Sequence, residues 1–189
     1  PRQGAHPSRK ASSTNPATWC DFETAMAAVE SGEVDGLGFA LGDGWAGVDI
    51  DDAVVDREFQ PKVFELVNLF ESYAELSVSG TGAHILVHGE VPEGKRSGNI
   101  EAYGRGRYFT VSGHGLGFWP PKTIEPRQEE LDDLVAQINA EKACARGGNS
   151  TNSIAPLWPD PPPPPPATAA EIIDLGHRIC LNFGELWRG

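Results

Sequence analysis

Between residues 37 and 113, the sequence alternates short apolar runs with glycine-rich breaks. Short runs of this kind, bounded by turn-forming residues, are typical of β-strands. The predicted strands are 37–41, 46–50, 75–79, 84–88, 99–103 and 108–112. Gly42-Asp43-Gly44 separates the first two and predicts that they form a hairpin. A sheet of about six strands is therefore the predicted frame of the fold.

Apolar residues at helical spacing predict three helices. The first has a capping pair in Thr18 and Asp21 and ends at Ser31-Gly32. The second starts near Pro61, because proline is tolerated in a first helical turn. The third has its apolar positions between residues 131 and 138. This pattern predicts an α+β fold, in which a mixed or antiparallel sheet carries helices on one face and leaves the other face open for chemistry.

Composition divides the chain into four parts. Residues 1–16 are polar and rich in Ser, Pro and basic residues, which predicts a flexible N-terminal arm. Residues 17–148 hold every predicted strand and form the main domain. Residues 149–168 contain a run of prolines at 161–166 and predict a stiff linker. Residues 169–189 are apolar at helical spacing and predict the start of a helical segment.

The net charge of −12, from 15 basic and 27 acidic residues, restricts the possible functions. Proteins that grip nucleic acid by general charge attraction are usually basic. The three cysteines form no CxxC pair, which argues against a zinc site or a disulfide framework. We find no signal-peptide pattern and no long apolar run, so we expect a cytoplasmic protein without a membrane partner.

The first candidate site is an acidic pair in the second predicted strand. Side chains alternate along a strand, so Val48 and Ile50 face the core while Asp49 and Asp51 share the other face. Two such carboxylates can converge on one or two Mg²⁺ ions, whereas without a cation they repel each other. The alternative is a solvated strand end whose acids cap the next turn.

The second candidate is a glycine-rich turn that leads into the strand 84–88. Gly80 and Gly82 expose backbone N–H groups, and Ser79 and Thr81 add hydroxyl donors, so the turn suits a phosphate tail. His84 can bond a phosphate oxygen. The turn has neither the Gly-Lys-Ser/Thr ending nor the following helix of a Walker loop. The alternative is a hairpin with a polar tip.

The third candidate is Glu101, which faces away from Ile100 and Ala102 in a small apolar strand. A buried carboxylate needs a partner, and a metal ion would be one. A salt bridge to Arg105 or Arg107 is the alternative. Arg107 can instead clamp a triphosphate, because its planar fork of donors matches phosphate oxygens.

Taken in order, these motifs resemble the archaeo-eukaryotic primase superfamily, especially the bifunctional primase-polymerase domains of phages and plasmids. Members carry an acid-x-acid pair, a Ser/Gly-rich turn ending in His, and a late acid after an apolar residue. The similar segments are Asp49-Ile50-Asp51, Ser79-Gly80-Thr81-Gly82-Ala83-His84 and Ile100-Glu101. The resemblance covers about residues 14–113.

The resemblance implies an RNA-recognition-like sheet and an enzyme that performs DNA-template-dependent nucleotidyl transfer. In that reaction a 3′-hydroxyl attacks the α-phosphate of a nucleoside triphosphate. Asp49, Asp51 and Glu101 would hold two ions, Mg²⁺ or Mn²⁺. The residues assigned to the triphosphate are Ser79, Gly80, Thr81, Gly82, His84 and Arg107.

The same resemblance implies partners and a biological setting. The partners are a single-stranded or primed DNA template and nucleoside triphosphates, with deoxynucleotides favoured. The setting is phage or plasmid replication, in the host cytoplasm if the protein is viral. The sequence has no helicase signature, so a helicase domain or protein outside this chain would supply any unwinding.

Two other functions use the same residues differently. A metal-dependent nuclease can hydrolyse phosphodiesters with the same acids, although hydrolysis requires no triphosphate pocket. A non-catalytic nucleic-acid-binding module can be built on a similar sheet, but such sheets usually present exposed aromatic and basic residues. The predicted open face carries Asp49, Asp51 and Glu101 instead.

Overall fold

A computed structural model describes residues 12–32, 34–120 and 123–146. Within these ranges the chain forms a short 3₁₀-helix (Pro16–Thr18) and three α-helices: α1 (Phe22–Glu30), α2 (Pro61–Phe70) and α3 (Gln128–Arg146). The strands are β1 (Leu37–Ala40), β2 (Trp45–Ile50), β3 (Val54–Val55), β4 (Glu58–Phe59), β5 (Tyr73–Leu76), β6 (Ala83–His88), β7 (Lys95–Ser97), β8 (Ile100–Tyr103), β9 (Tyr108–Val111) and β10 (Glu125–Pro126). The fold is therefore mixed α+β, as the sequence predicts.

The main sheet has the strand order β10-β6-β2-β8-β7, and β5 pairs with β6 beside β10. The pairings are antiparallel except for the short parallel pairing of β10 with β6. Two small additional sheets consist of β1 with β9 and of β3 with β4. The central strand β2 is paired along its length by β6 and is also paired by β8, so both of its edges are occupied.

The principal core lies between one face of this sheet and two helices, α2 and α3. The amphipathic pattern of α2 turns Val63, Leu66, Val67 and Phe70 inward. Helix α3 contributes Leu131, Leu134 and Ile138 to the same core. Burial of one large apolar side chain of this kind contributes about 1.5–3 kcal/mol. Helix α1 lies beside β1 instead.

The predicted hairpin between β1 and β2 is wrong. The turn itself closes, because Gly42 and Trp45 exchange backbone hydrogen bonds of 3.1 and 2.9 Å and the φ angles of Asp43 and Gly44 are positive, at 51° and 85°. Pairing stops there, since neither edge of β2 is available to β1. Strand β1 pairs with β9 instead and places Phe39 opposite Phe109. We call this two-stranded unit the β1–β9 ribbon.

The face opposite the two helices is only partly open, contrary to the prediction. A second cluster of buried residues combines Leu86 from β6 and Tyr73 from β5 with Phe109 from the ribbon, together with Leu41 and Ile124. The ribbon therefore covers part of the face, and the cavity described below opens beside the covered part.

Several predicted boundaries also shift. Asp21 alone caps α1, by accepting a 2.9 Å hydrogen bond from the Thr24 N–H, whereas Thr18 belongs to the 3₁₀-helix. The predicted strand 75–79 ends at Leu76, and Ser77 begins a turn. The linker 149–168, the segment 169–189 and most of the N-terminal arm lie outside the described residues. No helix within the described ranges combines the length and apolar content needed to cross a bilayer.

Candidate active site

A row of five polar residues crosses the main sheet, one from each of five neighbouring strands. Register pairs Glu75 of β5 with His84 of β6, and His84 with Asp49 of β2. On the other side of β2, Asp49 pairs with Glu101 of β8, and Glu101 pairs with Arg96 of β7. Directly paired residues project from the same face of a sheet, so these five side chains lie side by side. We call them the cross-sheet row.

The acidic pair predicted from the sequence lies at the centre and at the end of β2. Val48 and Ile50 are buried in the core, so Asp49 between them faces the opposite side, as the alternation predicts. Asp51 follows the last residue of β2 and is exposed. Its backbone N–H donates to the Asn99 carbonyl at 2.8 Å, which ties it to the turn before β8.

Arg96 joins two of the three predicted acids. One guanidinium nitrogen lies 3.4 Å from Oδ2 of Asp51, and the other pairs closely with Oε1 of Glu101. The hydroxyl of Tyr103 donates to the second oxygen of Glu101. The salt-bridge arginine is therefore Arg96, and the predicted alternative of Arg105 or Arg107 is wrong. The sequence gives only a weak signal that Arg96 lies on a strand, because the polar run Lys95–Ser97 has no strand-like pattern of its own.

The acids form a site in which negative charge is only partly compensated. The pKa of Asp49 rises from 3.8 to about 6, mainly through burial and then through the neighbouring charges of Asp51 and Glu101. Carboxylate oxygens of this kind are the ligands that Mg²⁺ and Mn²⁺ prefer. In the described ranges, however, no three carboxylate, imidazole or thiol side chains are arranged to hold one ion together. Arg96 is the cation that bridges Asp51 and Glu101 instead.

The glycine-rich turn presents a chain of hydroxyl groups beside the acids. Ser77 Oγ lies 2.9 Å from Ser79 Oγ, which lies 2.9 Å from Thr81 Oγ1. The Gly82 N–H donates to Ser77 Oγ at 2.9 Å and closes the turn. Gly80 has a φ of +74°, a conformation that favours glycine. Ser77 is not among the predicted site residues, because the sequence pattern places it within the predicted strand 75–79.

The acids and the turn enclose one cavity of about 450 Å³. Its walls are formed by Asp49, Asp51, Asp52, Ser77, Ser79, Thr81, Gly82 and His84. Most of the residues predicted to bind phosphate are thus brought together with the acidic pair. Glu101 lies next to the cavity, as the cross-strand partner of Asp49.

Arg107 and Gly80 are predicted site residues that do not line this cavity. The guanidinium of Arg107 lies 4.9 Å from the centroid of the Tyr103 ring, a cation–π distance. Arg107 is exposed and precedes β9. Tyr103 in turn contacts Glu101, so the Tyr103 side chain lies between Arg107 and this acid. Arg107 does not clamp the turn.

His84 is held between the acids and the β1–β9 ribbon. Its Nε2 lies 3.6 Å from Oδ1 of Asp49, and its ring stacks on Phe109 with centroids 4.5 Å apart. Gly47 allows this stack, because a Cβ at that position would fall inside the Phe109 ring. Burial lowers the pKa of His84, although the charge of Glu75 acts in the opposite direction. The neutral imidazole is therefore the favoured form near neutral pH.

The arrangement as a whole places carboxylates on one side of the cavity and the hydroxyl groups of the turn on the other. The N–H groups of Gly80, Thr81 and Gly82 donate hydrogen bonds within the turn instead, contrary to the prediction that they bind phosphate. Carboxylates repel a phosphate tail unless cations lie between them, whereas the turn attracts it directly. Such a site is suited to bind a polyphosphate together with divalent cations. Phosphoryl and nucleotidyl transfer are the reactions that this combination serves.

Comparison with known proteins gives one informative match. A DNA primase-polymerase of Nitratiruptor phage NrS-1 is 34% identical over an alignment of 117 residues that covers 56% of this chain and 16% of the phage protein. No protein-family model matches the chain. The chain therefore spans a small part of the relative that it matches, and the similarity relates this part to a primase-polymerase.

Proposed function

We propose that this chain is a catalytic module for DNA-template-dependent nucleotidyl transfer, of the archaeo-eukaryotic primase type found in phages and plasmids, with an RNA-recognition-like sheet. The 3′-hydroxyl of a growing strand attacks the α-phosphate of a nucleoside triphosphate. A new phosphodiester bond forms, and pyrophosphate leaves. Deoxynucleotides are the favoured substrates, and phage or plasmid replication is the proposed setting.

The residues have separate tasks in this proposal. The hydroxyl groups of Ser79 and Thr81 bind the triphosphate, and positioning of this kind contributes much of the rate in such reactions. Asp49 and Asp51, with Glu101 beside them, hold divalent cations after the guanidinium of Arg96 has turned away. Two bound Mg²⁺ or Mn²⁺ ions would neutralise phosphate charge and lower the pKa of the 3′-hydroxyl.

One observation carries the proposal. A hydroxyl-rich turn and an acidic pair face each other across a single cavity, in a chain similar to a DNA primase-polymerase. A nuclease requires only the acids, so the turn favours synthesis over hydrolysis. A binding module requires neither, because base stacking on exposed aromatic rings would suffice.

Primer extension tests this function. The 189-residue chain is incubated with a labelled primer on a DNA template, deoxynucleotides and Mg²⁺ or Mn²⁺. We expect extension by the unmodified chain and a loss of at least about 100-fold in Asp49→Asn, because a site that stabilises charge loses one of its ligands.

Asp133→Asn is the matched control, since it removes the same charge from an exposed position on α3, the helix that packs against the other face of the sheet. It should extend the primer as the unmodified chain does. Shortening of the primer without extension would support the nuclease instead, and DNA binding without either reaction would support the binding module.

A further inference from the structure

Residues 105–108, with the sequence Arg-Gly-Arg-Tyr, are all exposed and connect β8 to β9. We call them the 105–108 segment. Four other basic side chains of the described residues form ion pairs with carboxylates: Lys62, Lys95, Arg96 and Arg127. Within the described ranges, neither Arg105 nor Arg107 forms such a pair. In a chain with a net charge of −12, the segment therefore concentrates positive charge that no ion pair neutralises.

Tyr108 presents an aromatic ring to solvent at the end of this segment. Its exposed fraction is 55%, whereas Phe109 is buried and faces the main sheet. Successive side chains alternate along a strand, so Tyr108 lies on the outer face of the β1–β9 ribbon. A Cβ at Gly38 would lie 3.0 Å from a carbon of the Tyr108 ring, so the backbone of β1 supports the ring. Among the Phe, Trp and Tyr rings of the described residues, only this one is exposed.

Backbone contacts fix the 105–108 segment in place. Directly before it, Gly104 packs so closely on the backbone of Val91 that an added Cβ would collide with it. Within the segment, the carbonyl of Arg107 accepts a 2.9 Å hydrogen bond from the Leu41 N–H. A ligand would therefore meet the two arginines and the tyrosine on a backbone that is already ordered, which lowers the entropy cost of binding.

The segment and the glycine-rich turn lie on opposite sides of the acids. Strand β6 begins directly after the turn, and its first residue pairs with Ile50 at one end of β2. Tyr103, whose ring lies under the Arg107 guanidinium, pairs with Gly47 toward the other end of β2. Asp49 lies between these two positions. Because the attacking and leaving oxygens of phosphoryl transfer are roughly in line, pyrophosphate that leaves on the side of the turn requires a DNA strand on the side of the segment.

We propose that the 105–108 segment binds single-stranded DNA beside the site of transfer. Arg105 and Arg107 contact backbone phosphates, because their planar forks of donors match phosphate oxygens. Tyr108 stacks on a base, which requires no particular sequence since every base has an aromatic face. The choice of DNA as the ligand rests on the proposed function. The segment is the surface by which an acidic chain holds a DNA strand, and Arg107 serves this strand and not the triphosphate.

DNA binding in the absence of nucleotide tests the arginine contacts. The 189-residue chain is titrated onto a fluorescently labelled single-stranded oligonucleotide, with chelator present and at several salt concentrations, and anisotropy gives the binding constant. We expect Arg105→Gln to weaken binding and to reduce the slope of log K against log salt by about 0.7, the value for one phosphate contact on a single strand. No binding by the unmodified chain at low salt, or an unchanged slope in Arg105→Gln, would overturn the proposal.

Lys62→Gln is the matched control for charge. It also removes one positive charge, but from α2, which packs against the opposite face of the sheet. Its salt slope should equal that of the unmodified chain. Equal reductions of the slope in Lys62→Gln and Arg105→Gln would mean that DNA responds to the overall charge, and the assigned surface would be wrong.

Tyr108→Leu tests the stacking contact, because it removes the ring and keeps an apolar side chain. We expect binding to weaken at least about 5-fold without a change in salt slope, since a stacked base is lost and no phosphate contact is. Tyr108→Phe keeps the ring and should bind as the unmodified chain does. On an abasic oligonucleotide of the same length, Tyr108→Leu should match the unmodified chain. An equal loss of affinity for both oligonucleotides would exclude stacking.

These measurements are independent of catalysis. If Tyr108→Leu fails to fold, Arg105→Gln still decides the point, because its side chain is exposed. Failure of the unmodified chain to extend a primer would refute the proposed function and leave the binding result untouched. Primer extension together with unaltered DNA binding in Arg105→Gln and Tyr108→Leu would refute this surface alone.

Discussion

At the scale of single residues, Asp49 connects the chemistry of the site with the stability of the fold. It is the member of the cross-sheet row with an acid on one side, Glu101, and an imidazole on the other, His84. Burial and the two nearby acids raise its pKa to about 6. The site is thus assembled at the expense of stability, as is common where function requires charge in a partly buried position.

The pH dependence of stability should show this cost. Between pH 3.8 and about pH 6 the folded state binds more protons at Asp49 than the unfolded state does, so stability falls as the pH rises through this window. Above about pH 6 the charged Asp49 carboxylate destabilises the fold to its full extent. In chelator at pH 8, Asp49→Asn should therefore raise the free energy of unfolding by about 1 kcal/mol, a value reduced for solvent screening because the side chain is partly exposed.

Thermal unfolding at pH 8 and pH 4 measures the effect. A gain of this size corresponds to a rise in Tm of about 2–4 °C at pH 8, and it should disappear at pH 4, where Asp49 is largely protonated. Asp133→Asn should show no such difference between the two pH values. Lower stability of Asp49→Asn at pH 8 would mean that its carboxylate is compensated in the folded state.

At the scale of elements, the β1–β9 ribbon decides where the active face is open. The sequence predicts the short runs and the tight turn at Asp43-Gly44, because these depend on neighbouring residues. It does not show that β6 and β8 occupy both edges of β2, since strand pairing depends on distant parts of the chain. Local signals therefore predict the turn correctly, but they predict the wrong pairing partner for β1.

Gly47 is the contact on which the ribbon's position depends. A Cβ at this position would overlap the Phe109 ring, which packs on His84. Gly47→Ala should displace the ribbon and destabilise the fold by about 1–3 kcal/mol, the usual cost of overpacking. Denaturant unfolding gives the stability, and the His84 ring proton shifts report whether the aromatic stack persists.

Gly36→Ala is the control within the same region of the chain. Its added Cβ would meet only the Thr110 methyl group, at 4.0 Å. We expect stability within about 0.5 kcal/mol of the unmodified chain and unchanged His84 shifts. Equal effects of the two substitutions would indicate that the loss of glycine, and not the overlap with Phe109, is responsible.

At the scale of the whole molecule, the sequence predicts the types of site residue better than their partners. Asp49, Asp51, Ser79, Thr81 and His84 follow from motifs within single strands and turns, and they meet at one cavity. The cross-sheet row could not be predicted, because it requires the register of five strands. Glu75 and Arg96 are the members that only this register reveals.

The net charge of −12 gives Arg96 a particular importance. A molecule this acidic attracts divalent cations generally, but Arg96 already pairs with Asp51 and Glu101. A cation bound there must displace both ion pairs. An exposed ion pair such as Arg96–Asp51 contributes about 0.2–1 kcal/mol, whereas in the second pair the Glu101 side chain is only 11% exposed. Arg96→Gln should therefore tighten Mn²⁺ binding about 5-fold, as measured by calorimetry without nucleotide or DNA.

Lys62→Gln separates this local competition from the effect of overall charge. It changes the net charge by the same amount, from −12 to −13, but at the start of α2, which packs against the opposite face of the sheet. Its effect on Mn²⁺ affinity should be small, because charges beyond about 10 Å are screened at 0.1 M salt. If both substitutions tightened binding equally, the cation would be responding to the field of the whole molecule. If neither did, Asp51 and Glu101 would not be its ligands, because their release from Arg96 would then have no effect on the bound ion.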